Sequence, residues 1–386
     1  VEFELTEELR ILQQTSREFA LKELAPGAIE RDANCEYPMD IMKKLGPLGF
    51  MGMQVPEQYG GAGLGALAYC LVMEEIARWD ASVALNMAAQ NSLCLGHLMV
   101  AANETQKRKY IAPLARGEKL GAWGLTEPGA GSDAHSMRSI ARLDGDEWVL
   151  NGSKMFITQG NVADICVITA RTAAGEGRQP ISAFVVETKR DGLPTPGYSS
   201  RKIANKLGMH ASDTAEISME DLRVPRDCLL GREGEGFNDV LKVLTNGRIG
   251  IGALAVGIAR GALEDSIRYA KDREQFGKPI GQFQAIQWML ADMATQIDAA
   301  RLLVHRAALL KDQGVDVTKQ AAEAKLFASE VATRASLDAI QIHGGYGYTS
   351  EFHVERYLRD AKLLEIGEGT SQIQRIVIAK HLLKEF

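Results

Sequence analysis

A chain of 386 residues, 46% hydrophobic and 24% charged, has the make-up of a globular protein and is too long for one ordinary core. That composition excludes a mostly disordered chain, a collagen-like chain and a small disulfide scaffold. With 44 Lys+Arg against 50 Asp+Glu the net charge is −6, which leaves no basic excess for general nucleic-acid binding.

The five cysteines, Cys35, Cys70, Cys94, Cys166 and Cys228, are odd in number and form no C-x-x-C pair. Reduced thiols in a bacterial cytoplasm or a mitochondrial matrix are therefore expected. No apolar run approaches the roughly 18 residues of a membrane span, and no lipid anchor or basic amphipathic helix is visible, so no membrane insertion is expected. The histidines show no metal-ligand spacing, and no metal is expected.

In chain order, the opening Val1-Glu2-Phe3-Glu4-Leu5 is acidic and helix-like, unlike a signal or transit peptide. Residues 7–23 and 38–49 carry apolar side chains at three- and four-residue spacing, and residues 65–78 read as a longer apolar helix. A Pro/Gly loop at residues 56–63 separates the last two. From residue 121 the pattern changes. Residues 165–170 and 181–186 read as strands, and Asp144-Gly145 and Asn151-Gly152 read as hairpin turns. Strands without interleaved helices predict an antiparallel, barrel-like sheet. After Gly236 the chain is helical again. Phe283, Ile286, Leu290, Met293, Ile297, Ala300 and Val304 form one stripe, the seam of a bundle.

The helix before that stripe carries Gly247, Gly250, Gly252, Gly257 and Gly261. Each is unfavourable by about 1 kcal/mol against Ala. Two readings compensate for this: close helix contact, or a ligand brought against bare backbone. The whole predicts an α+β, mostly α protein of three domains: helical over 1–120, β over 121–230, and a four-helix bundle over 231–386.

Two G-x-G-x-x-A stretches, at residues 61–66 and 129–134, lack the strand–turn–helix setting of a dinucleotide fingerprint. The second is still a loop of uncovered amides able to hold a pyrophosphate. Glu368 lies between Gly367 and Gly369, where flexible backbone lets a substrate come close, and Thr370 reads as the N-cap of a final helix over 371–386.

Four segments together resemble the acyl-CoA dehydrogenase family. Residues 125–133 (Leu-Thr-Glu-Pro-Gly-Ala-Gly-Ser-Asp) and 341–348 (Gln-Ile-His-Gly-Gly-Tyr-Gly-Tyr) look like its two signatures. Residues 273–280 (Arg-Glu-Gln-Phe-Gly-Lys-Pro-Ile) and 367–374 (Gly-Glu-Gly-Thr-Ser-Gln-Ile-Gln) complete the pattern in register over essentially the whole chain. The resemblance implies FAD-dependent α,β-dehydrogenation of an acyl-CoA thioester to a trans-2-enoyl-CoA, with hydride passing to flavin N5 and electrons to an electron-transfer flavoprotein. It implies a homotetramer, with Glu368 as the base removing the α-proton. By the same resemblance Trp123, Leu125, Thr126, Gly131, Ser132, Phe156, Ile157 and Thr158 line the flavin. Arg273, Gln284, Gln341, Ile342, Gly344 and Gly345 reach the cofactor of a neighbouring subunit, Gln275 and Phe276 also bind cofactor, and Thr370, Ser371 and Gln372 close over it. Thr245, Asn246, Gly247, Arg248 and Gly369, with Ser132, border the substrate.

Some family members carry the base at the position of Gly247, which has no side chain here. The family usually has an aromatic residue where this chain has Gly367, so a wider or branched acyl group is possible. The alternatives are an oxygen-using flavin enzyme of the same fold, or a non-catalytic flavin- or CoA-binding scaffold. A scaffold should have lost the base, and Glu368 is present.

Overall fold

The computed structural model of the chain describes residues 4–172, 180–190 and 192–385. Of the opening segment expected to be helical, residues 1–3 lie outside the described residues, and Glu4 and Leu5 are not helical. The first helix, α1 (Glu7–Phe19), begins after Thr6, whose hydroxyl accepts from the Leu9 amide. A wider turn over Ala20–Leu24 extends it. The apolar helix α2 (Ala66–Trp79) is buried on every face from Ala66 to Arg78. An all-round apolar helix belongs inside a core.

Eight strands of the described residues make one sheet: β1 (Gly121–Gly124), β2 (Ile140–Asp144), β3 (Glu147–Thr158), β4 (Ile165–Thr172), β5 (Ile181–Glu187), β6 (Tyr198–Lys202), β7 (Thr214–Pro225) and β8 (Leu229–Leu230). Their order is β8-β5-β4-β2-β3-β7-β6, with β1 also beside β4. The expected antiparallel pairing holds for most neighbours in the sheet, with two exceptions. Both β1 and β2 run parallel to β4, because the β2–β3 hairpin intervenes in sequence before the chain returns along them. The hairpin turn forms on Gly145 and Asp146, with Asp144 paired to Glu147. Asn151-Gly152 is not a turn. It lies inside β3 at a register shift against β7, and a Cβ on Gly152 would stand 2.4 Å from Ser139 Oγ. Glycine here serves close approach within a bulge.

The C-terminal part is built from α3 (Gly236–Asp272), α4 (Gln284–Asp312), α5 (Thr318–His343), α6 (Val354–Leu364) and α7 (Ser371–Glu385). Phe386, expected within the last helix, lies outside the described residues. Of the predicted seam, Met293, Ile297, Ala300 and Val304 are buried, whereas Phe283 precedes α4. By length and composition α3 could cross a bilayer, but 72% of its apolar window is buried inside this fold.

α3 packs against α2 through its glycines. A Cβ on Gly257 would lie 2.6 Å from Glu74 O and 2.7 Å from Ala77 Cβ, and one on Gly261 3.1 Å from Arg78 O. The two helices are also tied by buried ions. Arg260 meets Glu74 at 3.0 Å and Glu75 at 2.6 Å, while Arg301 on α4 reaches Glu74 at 3.0 Å.

Gly257→Ala is expected to destabilise the protein by roughly 1–3 kcal/mol through overpacking against α2. Alanine is intrinsically better in a helix by about 1 kcal/mol, so a lowered midpoint in thermal unfolding isolates the clash. A raised midpoint would show that the two helices simply move apart.

Candidate active site

Glu368 sits in the short link between α6 and α7. Its φ is 52° and that of Gly369 is 94°, so two consecutive left-handed residues turn the chain sharply. A non-glycine residue there is strained by about 1–3 kcal/mol and must be held by its surroundings. The Gly369 carbonyl accepts from Lys325 Nζ at 2.7 Å and from Gln374 Nε2 at 2.8 Å. Thr370 Oγ1 accepts from the Ile373 amide, so the expected N-cap forms.

The Glu368 side chain points at α3. The residue is half-buried, but its Oε2 is fully shielded and has no hydrogen-bond partner. A Cβ on Gly247 would lie 1.8 Å from that oxygen. One turn further along α3, a Cβ on Gly250 would lie 2.9 Å from the ring of Tyr69, whose hydroxyl meets Ser92 Oγ at 3.0 Å. The close-contact reading of the glycine-rich helix therefore holds at both positions. Burial pushes the Glu368 carboxyl up to about 7, against the opposing pull of the Lys325 and Arg248 cations. Arg248 is buried, with its Nε unpartnered, and burial lowers its proton affinity while Glu368 raises it.

The loop over residues 125–133 is fixed by a buried ion pair. Lys154, fully buried on β3, donates to Glu127 Oε1 at 2.8 Å and to Leu125 O at 3.2 Å. The Glu127 carboxylate also accepts from the Arg138 and Ser139 amides at 2.5 and 3.0 Å. This fixing leaves Gly131 and Ser132 exposed, and a Cβ on Gly129 or Gly131 would meet nothing within 4 Å. Behind the loop, Trp123 Nε1 donates to His97 Nδ1 at 3.0 Å, and the buried imidazole is held down at about 4 and neutral. Leu125 and Ile157 are buried, Thr126 O accepts from the Met155 amide at 2.8 Å, and Thr158 is half-buried at the end of β3. Phe156 stands out at 66% exposure with φ 60°. An open amide loop beside an aromatic wall in strained backbone fits a flat, phosphate-bearing cofactor such as FAD. Ser371 Oγ, buried without a partner, and the exposed Gln372 are available to the same kind of group.

The other expected cofactor residues form a second group. Arg273, Gln275 and Phe276 belong to a hairpin in which Glu274–Gln275 pairs with Lys278–Pro279, and Phe276 is 94% exposed. Arg273 lies over the Tyr346 ring at 5.6 Å, joining this hairpin to the Gln341, Gly344 and Gly345 segment, where Ile342 is buried. Gln284 opens α4 and is exposed. Thr245 and Asn246 are half-buried on the turn of α3 before Gly247, where Asn246 contacts Lys311.

Three residues were missed from sequence. A Lys in a strand (Lys154) or a helix (Lys325) is ordinarily a solvated surface group, and His97 follows no motif. The only available signal was Glu127, an acid inside a glycine-rich loop that needed a cation.

Set beside known proteins, the chain matches the acyl-CoA dehydrogenase N-terminal domain over residues 6–118, the middle domain over 122–222 and the C-terminal domain over 234–383. It belongs to the acyl-CoA dehydrogenase family, which is a family of flavin-dependent oxidoreductases. The short-chain specific acyl-CoA dehydrogenase of Clostridium acetobutylicum is 44% identical over 384 residues, covering 100% of both chains. The butyryl-CoA dehydrogenase structure from Megasphaera elsdenii superposes with a TM-score of 0.95 at 44% identity, covering 99% of this chain and 100% of that one. A chain in a structure of the electron transferring flavoprotein of Acidaminococcus fermentans gives a TM-score of 0.96 at 47% identity, covering 100% of both.

Gly247→Ala is expected to displace the Glu368 carboxylate while leaving the bundle folded. A shift of about 1 Å in a reacting group costs on the order of 10²-fold. Steady-state kinetics with unchanged thermal stability would show it, and full activity would mean the carboxylate does not work from this position.

Proposed function

We propose that the protein dehydrogenates a short acyl-CoA between Cα and Cβ, with Glu368 as the base that takes the α-proton, FAD as the cofactor and an electron-transfer flavoprotein as the electron acceptor. The observation that carries this reading is the shielded, unpartnered Glu368 Oε2 over the bare backbone of Gly247. A thioester α-proton is a weak acid, so its base needs an apolar setting that raises its own proton affinity and a clear line to the carbon. The names of the Clostridium and Megasphaera relatives support a short acyl group, and the Acidaminococcus structure supports the electron partner.

In this reading the Glu368 backbone amide helps to hold the thioester carbonyl, stabilising the enolate-like charge that develops as the proton leaves. Gly247, having no side chain, leaves room for the carboxylate itself against α3. Arg248 and Lys325 supply positive charge on the far side of the base. Tyr69 fills the space against Gly250 and excludes water from that end. Ser132 and the amides of the Lys154-anchored loop hold the cofactor, with Phe156 and Thr158 against its ring. When bound, FAD supplies the acceptor for the two electrons that leave with the β-hydrogen. The exposed Arg273 hairpin and Gln341–Gly345 segment serve the site of a neighbouring subunit in a homotetramer. Domain limits of 1–120, 121–230 and 231–386 accompany this proposal.

Glu368→Gln is expected to keep the fold and bound flavin while losing about 10³–10⁴-fold in anaerobic flavin reduction by butyryl-CoA. Near-normal reduction would remove Glu368 as the base. In the unaltered enzyme the carboxyl must be ionised to accept a proton. The rate is therefore expected to rise with pH through about 7 and to level above it.

At Gly367 an added Cβ would meet Leu363 O at 3.5 Å and Leu363 Cδ1 at 3.9 Å, which are ordinary contacts. Gly367→Tyr should therefore fold and narrow the acyl pocket. The isobutyryl-to-butyryl ratio of kcat/KM is expected to fall about tenfold. An unchanged ratio would show that Gly367 does not face the acyl chain.

A further inference from the structure

Lys325 is an anomaly on the buried face of α5. It lies among Ala321, Ala322, Ala324 and Ala328, and the residue has no exposed surface. A buried ammonium costs several kcal/mol unless it is paired. Its hydrogen bond goes to a neutral acceptor, the Gly369 carbonyl, 44 residues away. Glu365, which also attracts Lys325, is engaged elsewhere, by Thr333 Oγ1 at 2.5 Å and Lys362 Nζ at 2.8 Å. The charge that faces Lys325 across the site is Glu368, which it attracts, with Arg248 of α3 as a like charge on the same carboxylate. From α2 the neutral phenol of Tyr69 also faces Glu368.

We propose that Lys325 is a positioning residue for the base: its ammonium clamps the Gly369 carbonyl, and with it the strained backbone of Glu368, and places a fixed positive charge behind that carboxylate. This rests on the reading of Glu368 as base. The two roles follow from one geometry. The bond to Gly369 O holds the second of two consecutive left-handed residues, so it acts on the link that aims Glu368 at Gly247. The charge opposes the burial that would otherwise keep the carboxyl protonated near neutrality. The cost of burying the lysine is offset by its attraction to Glu368, whose Oε2 is unpartnered. Burial lowers Lys325 itself to about 8, which leaves it cationic through neutral pH.

The test uses the flavin-loaded enzyme with Lys325→Met, Lys325→Gln and Lys325→Arg, each compared with Glu368→Gln. Two things are read: the pH profile of anaerobic flavin reduction by butyryl-CoA, and the carboxyl stretch of Glu368 in infrared difference spectra, assigned by its loss in Glu368→Gln. Removing the charge should raise the carboxyl midpoint and the acidic limb of the rate profile together by at least one pH unit. The rate at pH 7 then falls about fivefold or more and recovers at higher pH, with little change in KM. Lys325→Arg should return the limb most of the way, and Lys325→Gln, which keeps a donor without the charge, should not. A limb that stays in place in a neutral variant that retains flavin, with Glu368→Gln inactive, overturns the role of Lys325 and leaves the base intact. Activity in Glu368→Gln overturns the base itself. Should neither neutral variant retain flavin, the infrared titration of the unaltered enzyme decides. A midpoint near 7 supports the charge behind the carboxylate, and one at about 9, the value of a buried glutamate left without a cation, overturns it.

Discussion

Bare backbone along α3 is the constraint on which the rest of the structure depends. Gly247, Gly250, Gly252, Gly257 and Gly261 each admit something that a methyl group would exclude: the Glu368 carboxylate, the Tyr69 ring, a Val304 methyl, the Glu74 carbonyl and the Tyr357 ring with the Arg78 carbonyl. A helix carrying so many glycines would be poorly stable alone. Its stability comes from what packs on it, and the ion pairs of Arg260 with Glu74 and Glu75 fix its register against α2. The same helix thus packs against α2 toward its C-terminal end and receives the Glu368 carboxylate toward its N-terminal end.

Electrostatics around Glu368 run against the usual rule that buried charge is paired by hydrogen bonds. Glu368 Oε2 has no donor, and Lys325 spends its bond on a carbonyl. The two charges act on each other across the site without closing into an ion pair. The contrast with Lys154 and Glu127 is instructive. There, the pair is closed at 2.8 Å and its work is to hold a loop still. Two buried lysines in one chain therefore do different things, distinguished by whether the acid beside them is satisfied.

Much of the architecture was legible in the sequence. The change from three- and four-residue spacing to short β-branched runs near Gly121, and back after Gly236, marks the helical, β, helical order. Strands at Ile165 and Ile181 and the cap at Thr370 follow from local chemistry and formed where expected. Asn151-Gly152 was misread because the same dipeptide suits a turn and a bulge. What decided between them was the approach of Ser139, which is set by a different strand. The parallel pairing of β4 with β1 and β2 was also out of reach, because strand direction within a sheet depends on how distant segments return.

By itself the sequence determined which residue types were available: an acid flanked by glycines just before the last helix, a helix rich in glycine, and an amide-rich loop that includes Glu127. Their local torsions and caps follow from neighbours a few positions away, so they can be read in order along the chain. The tertiary structure decided which of them meet. It set Glu368 over Gly247, brought Lys325 across 44 residues to Gly369, and buried both far enough that their proton affinities depart from ordinary values. Burial and charge proximity are properties of the packed whole, and no pattern within a short stretch of sequence encodes them.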